Sequence, residues 1–215
     1  MNNKKELFFR IILYFIGIII LSLGITLNTK TDLGVSPIIS MPYTVSAIWH
    51  FNLGQATFIA YILFIIIQIA ALRKNFKLFQ LFQVIISLIT SAFINSFNNI
   101  LNIHFTNMPP KIILMVLAII LTGIGAAITV NMKIIPNPAD ALAKVIGDKL
   151  KKGMGFGKNV FDFTSLAISL SIGLIFVGQP VGIGLGAIAN MLFTGRVISL
   201  FNKLFKKKVD ILVGL

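Results

Sequence analysis

The 215-residue chain is 57% hydrophobic, only 12% charged and has a mean hydropathy of +0.95, far from the roughly one-quarter charged make-up of soluble domains. These values describe an integral membrane protein. With no cysteine and only His50 and His104 as imidazoles, disulfides, thiolate chemistry and a metal centre are not expected, and no cofactor motif is visible. The net charge of +13 is distributed as short Lys clusters beside apolar runs, which is the pattern of loops facing anionic lipid headgroups and not of a nucleic-acid surface.

In chain order, residues 8–28 form the first apolar run, long enough at 1.5 Å per residue to cross a hydrocarbon core of about 30 Å. It lacks the short apolar core and cleavage site of a signal peptide and is read as a retained span. Next comes a polar-punctuated stretch in which Ser36 is placed to cap a short helix and Pro37 to open it. Pro42 predicts a kink or a break inside that helix. Apolar runs over 56–72 and 78–101 follow, separated by the basic turn Arg73-Lys-Asn-Phe-Lys77.

The order then repeats. A run over 112–130 leads to Pro136-Asn-Pro138, and after it Leu142, Val145, Ile146 and Leu150 share one face while Asp140, Lys144 and Asp148 share another. That spacing predicts an amphipathic helix capped by Asn137, opened by Pro138 and closed by Gly153. Two further spans are expected over 159–177 and 181–201.

Three pairs of residues are separated by one offset: 125 − 24, 138 − 37 and 155 − 54 all equal 101, for Gly24/Gly125, Pro37/Pro138 and Gly54/Gly155. The chain is therefore expected to hold two copies of one unit, repeat A over about 8–101 and repeat B over about 109–205. The expected fold is all-α and polytopic, with six transmembrane helices as two three-helix repeats, each carrying an extra short amphipathic or re-entrant helix. An odd number of crossings per copy makes the repeats inverted. Assigning Lys4, Lys5, Arg10, Arg73, Lys74, Lys77 and the lysines of 133–152 and 203–208 to one side leaves Lys30 and Lys111 opposite. Both termini are accordingly expected in the cytoplasm.

The segments Leu33-Gly-Val-Ser-Pro37, Asn137-Pro-Ala-Asp140 and Gly182-Ile-Gly-Leu-Gly186 resemble the YczE/YyaS/YitT group of bacterial multi-pass membrane proteins over nearly the whole chain. The resemblance implies a bacterial cytoplasmic membrane protein and lends no substrate and no catalytic residue. Members of the group often carry an acidic residue two positions after the first proline; here that place is Ile39, and only Asp140 of the second copy keeps the pattern.

Candidate sites follow from chemistry at membrane depth. The helix starts at Ser36-Pro37 and Asn137-Pro138 present free N–H groups and a partial positive charge that suit a substrate's acceptor groups, with Asp140 beside the second; the alternative is a pair of interfacial helices with ordinary caps. Asp162, about one turn into its span, is a candidate proton carrier together with Asp140, or simply a partner of Lys158 one turn earlier. Asn95 and Arg196, again 101 apart, could line a solute path, or Arg196 could snorkel to headgroups. Gly182, Gly184 and Gly186 fit close packing through small residues and not a phosphate loop, since no strand precedes them. Trp49, His50 and His104 are expected at the outer interface.

No paired-carboxylate, Ser/His or zinc set is visible, so an enzyme is not expected, and no ATP-binding motif is present. The reading is a secondary transporter for a small anionic or amphipathic solute. The alternatives are a binding subunit of an ATPase-driven vitamin uptake complex and a membrane scaffold. The expected partners are lipid and a small-molecule solute, with a homodimer or a partner subunit compatible with the sequence.

Overall fold

The computed structural model describes residues 3–214, with side chains from Lys5 onward; Lys4, counted with the basic N-terminus, lies outside the described side chains. Eight α-helices follow one another: α1 (Asn3–Thr29), α2 (Pro37–Trp49), α3 (Leu53–Leu72), α4 (Gln83–Ile100), α5 (Met108–Asn131), α6 (Pro138–Lys149), α7 (Gly153–Val177) and α8 (Leu185–Val213). No strand occurs among the described residues. Six of the helices are long and apolar enough to span a bilayer, and α2 and α6 are the two short ones.

Because lipid tails are as apolar as leucine, burial alone does not hold such helices together, and close packing through small residues has to contribute. The main seam is α1 against α5, and it is built by the first glycine pair. A Cβ on Gly24 would stand 2.5 Å from the Thr122 amide nitrogen, and one on Gly125 would strike the backbone of Leu21. Each glycine of the pair thus admits the other helix's backbone. α4 packs on α1 and α8 on α5, while α2 and α6 each lie against both α3 and α7.

The two short helices start inside the protein and run toward opposite ends. α2 begins at Ser36, which shares a cavity with Lys158 and Asp162, and reaches Trp49, whose ring meets Phe176 edge-on at 4.9 Å. It therefore follows α7 upward over most of its length. α6 begins beside Tyr61 and ends at Lys149, which shares a lining with Ala71 near the end of α3. The Gln68 amide donates to the Pro138 carbonyl at 3.2 Å and exchanges two 3.2 Å hydrogen bonds with Gln83. Three elements are pinned at that point by groups that hydrocarbon would leave unsatisfied.

Several expectations are corrected. The last helix starts at Leu185 and not at 181, because residues before it serve a loop pairing: the Val35 amide donates to the Gly182 carbonyl at 2.8 Å and the Gly186 amide to Leu33 at 2.6 Å. The small-residue packing of this stretch is present: Gly182 meets the Tyr43 ring of α2, while Gly184 and Gly186 meet the backbone of the 31–35 loop, where a Cβ on Gly184 would lie 2.5 Å from the Leu33 carbonyl oxygen. Pro42 does not break α2. Its missing N–H forfeits one bond, that to the Ile38 carbonyl, and the helix runs on to Trp49. Gly153 does not close α6 either: Lys151 takes the left-handed conformation, with φ 54°, and Gly153 opens α7.

Candidate functional site

The site is built around Lys158 on α7. Its ammonium lies 3.3 Å from Asp162, one turn further along α7, and 3.8 Å from Asp140 in the first turn of α6. The side chains are 24%, 6% and 13% exposed for Lys158, Asp162 and Asp140. Asp162 is thus both paired, as the spacing with Lys158 allows, and deeply buried. Asp140 is held there because Pro138 and Asn137 fix the start of α6: the Asn137 Oδ1 accepts from the Ala139 amide at 3.0 Å, the cap expected from the sequence. The Tyr61 hydroxyl, near Asn137 and Asp140, is buried without a hydrogen bond of its own.

The start of α2 reaches the same cluster from the other side. Ser36, Pro37 and Ile38 line a cavity of about 180 Å³ together with Lys158, Asn159 and Asp162 of α7, Thr122 of α5, and Asn190 and Thr194 of α8. Ser36 does not cap α2 with its side chain. Its amide donates instead to the Asn28 Oδ1 at 2.8 Å, and the Ser36 hydroxyl is left without a partner. Four buried polar atoms on this lining lack a partner: Ser36 Oγ, Thr122 Oγ1, Asn190 Oδ1 and Thr194 Oγ1. The Asn190 amide nitrogen is already used, donating to the Gly186 carbonyl at 2.8 Å, so its oxygen is the atom left without a partner. Unmade hydrogen bonds in a buried setting each cost about 1–3 kcal/mol, and the gathering of four on the residues of one lining makes this cavity the candidate site.

The structure therefore brings Ser36, Pro37, Asp140 and Asp162 together through Lys158. Asn137 and Pro138 stand one layer behind, holding Asp140. Asn95 and Arg196 are not brought to this cavity. Asn95 lies in a shallow depression with Asn52, Gly54 and Ser91, and Arg196 is exposed, its guanidinium 5.2 Å from the Phe193 ring centre. Thr122, Asn190 and Thr194 were not singled out from the sequence. Lys158 was seen only as the neighbour of Asp162.

A second pair of cavities, about 400 and 280 Å³, opens around Asp32 and Tyr43 on the side of the 30–35 loop. Here Lys111 pairs with Asp32 at 3.1 Å, and burial lowers the pKa of Lys30, whose ammonium donates to the Asn98 carbonyl at 3.2 Å. The loop pairing through Val35 and Gly182 separates these cavities from the Lys158 site.

The model of DUF6198, a family of unknown function, matches residues 8–203. Two proteins of Bacillus subtilis (strain 168) are similar: the uncharacterized protein YyaS, 29% identical over 178 residues that cover 80% of this chain and 82% of that one, and the uncharacterized membrane protein YczE, 26% identical over 196 residues, 91% and 86% of the two chains. The likeness read from the proline and glycine motifs is thus found along most of the chain. No solved structure matches.

Proposed function

We propose that this chain, which belongs to the DUF6198 family and has six helices long and apolar enough to span a membrane, is a secondary transporter for a small polar solute, a carrier and not an enzyme. In this reading α1–α4 and α5–α8 are inverted repeats, 8–101 and 109–205, with α2 and α6 as re-entrant helices whose starts frame the solute. It sits in a bacterial cytoplasmic membrane with both termini inside, and Asp162 carries a coupling proton. The observation that carries the proposal is the cavity at the start of α2, with four unpartnered buried polar atoms beside the Lys158 ion-pair cluster.

A difference between the halves supports it. α3 and α4 pack side by side, and a Cβ on Gly54 would stand 2.5 Å from the Ser91 carbonyl. The corresponding helices α7 and α8 hardly touch, and around Gly155 there is open space. Two copies of one unit in different conformations are what alternating access about a central site requires.

The test uses single cysteines in the naturally cysteine-free chain, combined with proteoliposomes. Cysteines at Thr106 and Gln179 should label from outside with an impermeant reagent, and those at Asn75 and Lys206 should not. Screening small solutes against the reconstituted protein should find one whose uptake moves protons in the wild type but not in Asp162→Asn. Outside labelling at Asn75 would overturn the topology; uptake that is indifferent to Asp162 would overturn the coupling.

A further inference from the structure

The chemistry of the lining says more about the solute than that it is polar. We infer that the cavity beneath α2 binds a small organic cation through a primary ammonium or a similar group bearing N–H donors, an assignment that rests on the reading of this cavity as the solute site. Its oxygens are mostly acceptors in search of donors. The Asn190 Oδ1 can only accept, the Asp162 carboxylate can only accept, and the hydroxyls of Ser36, Thr122 and Thr194 each bring two lone pairs against one proton. The one ammonium on the wall, that of Lys158, is already engaged by two carboxylates.

Charge points the same way. Lys158 and Asp162 line the cavity, and Asp140, on the far side of the Lys158 ammonium, gives the cluster one net negative charge; no other Lys or Arg lies within 4 Å of either carboxylate among the described residues. A helix start contributes only about half a positive charge. The sequence alone favoured an anion at these helix starts; an anion would have to sit beside Asp162, which is 6% exposed, with no free cation to hold it.

Size and shape narrow the class. About 180 Å³ exceeds what a bare metal ion fills, since a single water needs only about 10–15 Å³ of such volume. The lining holds no aromatic ring, so a quaternary ammonium, which is recognised through ring faces, gains nothing here. A primary ammonium carries three N–H donors and has partners for all of them.

The experiment measures binding to the full-length purified protein in detergent by calorimetry, independently of transport. The probes are methylammonium, ethanolamine, putrescine and guanidinium, with choline, glycolate and sodium chloride for comparison. At least one of the N–H-bearing cations should bind saturably, with choline and glycolate at least about tenfold weaker. Ser36→Ala should weaken that binding roughly fivefold, as the loss of one hydrogen bond does. Asp162→Asn, which keeps the pairing of Lys158 with Asp140, should weaken it more, and Ser171→Ala on the exposed side of α7 should not change it. Saturable glycolate binding, sodium binding with no response to any amine, or failure of all four N–H-bearing cations would each overturn the inference. Amine binding without solute flux in liposomes would leave this inference standing and remove the transporter; flux of a carboxylate that depends on Ser36 and Asp162 would do the reverse.

Discussion

Lys158→Met tests whether the cluster holds the start of α6 to α7. At separations of 3.3 and 3.8 Å, each pair has a gross attraction of about 4–5 kcal/mol at an effective dielectric constant near 20, most of which offsets the desolvation of the charges. Removing one partner of a buried pair costs about 3–5 kcal/mol, because a carboxylate is left behind without compensation. Since the Lys158 side chain is 24% exposed, the lower end applies, about 3 kcal/mol. Asp162→Asn should cost less than about 1 kcal/mol, since Lys158 retains Asp140 and the amide can still hydrogen bond. The double variant leaves only Asp140 unpaired, at the N-terminus of α6, where the helix dipole favours a negative charge by about 0.3–1 kcal/mol. It should recover about 2 kcal/mol of the loss, a coupling well beyond the scatter of additive sites. Thermal unfolding in detergent is the assay, with about 2–4 °C expected per kcal/mol for a chain of this length. A Lys158→Met protein as stable as the wild type, or a double variant that is merely additive, would show that the cluster does not hold these helices together.

Four further variants, three at glycines and one at a cap, have expected outcomes. Gly184→Leu should sharply reduce folded yield, because a Cβ there already meets the Leu33 carbonyl at 2.5 Å, whereas Asn137→Ala should lower stability by only about 1 kcal/mol while disturbing solute uptake through Asp140. Gly155→Leu should fold, having open space around it, but because Gly155 lines the cavity it should weaken both binding and uptake; Gly54→Leu should not fold, since it would drive into Ser91 and Asn95. Wild-type binding and uptake in Gly155→Leu would refute the cavity as the solute site.

The spans were legible because run length is a one-dimensional property: every expected apolar run falls within or largely within a helix. The glycine offset was legible as well, and the α1–α5 seam gives Gly24 and Gly125 the same physical task. The acceptor wall was not. A hydroxyl in an apolar helix reads the same whether it bonds to its own backbone, as Thr129 does to Gly125 at 3.0 Å, or is left unpartnered on a residue that lines a cavity, as that of Thr122 is. The buried Gln68–Gln83 pair was missed for a related reason, since neither glutamine announces a partner 15 residues away. Asn190 was the available signal: an amide inside an otherwise apolar stretch needs a partner. The start of α8 was displaced because Val181 to Gly184 read as apolar, while their backbone is committed to the 31–35 loop.

That loop commitment bears on how access could alternate. The bonds from Val35 to Gly182 and from Gly186 to Leu33 tie the segment entering α2 to the segment entering α8. Ser36 and Asn190 are carried by these same two helices, so any separation of the loops moves two walls of the cavity together. The α1–α5 seam, where Gly24 and Gly125 bring backbone against backbone, has no slack for sliding. Interfaces packed this closely shift between discrete arrangements and do not deform continuously. In the proposed carrier, opening the cavity toward Asp32 and Tyr43 would require α2 and α8 to part at the loop pairing while α1 and α5 stay in register, and the open space at Gly155 would leave α7 room to move toward α8 as the loops separate.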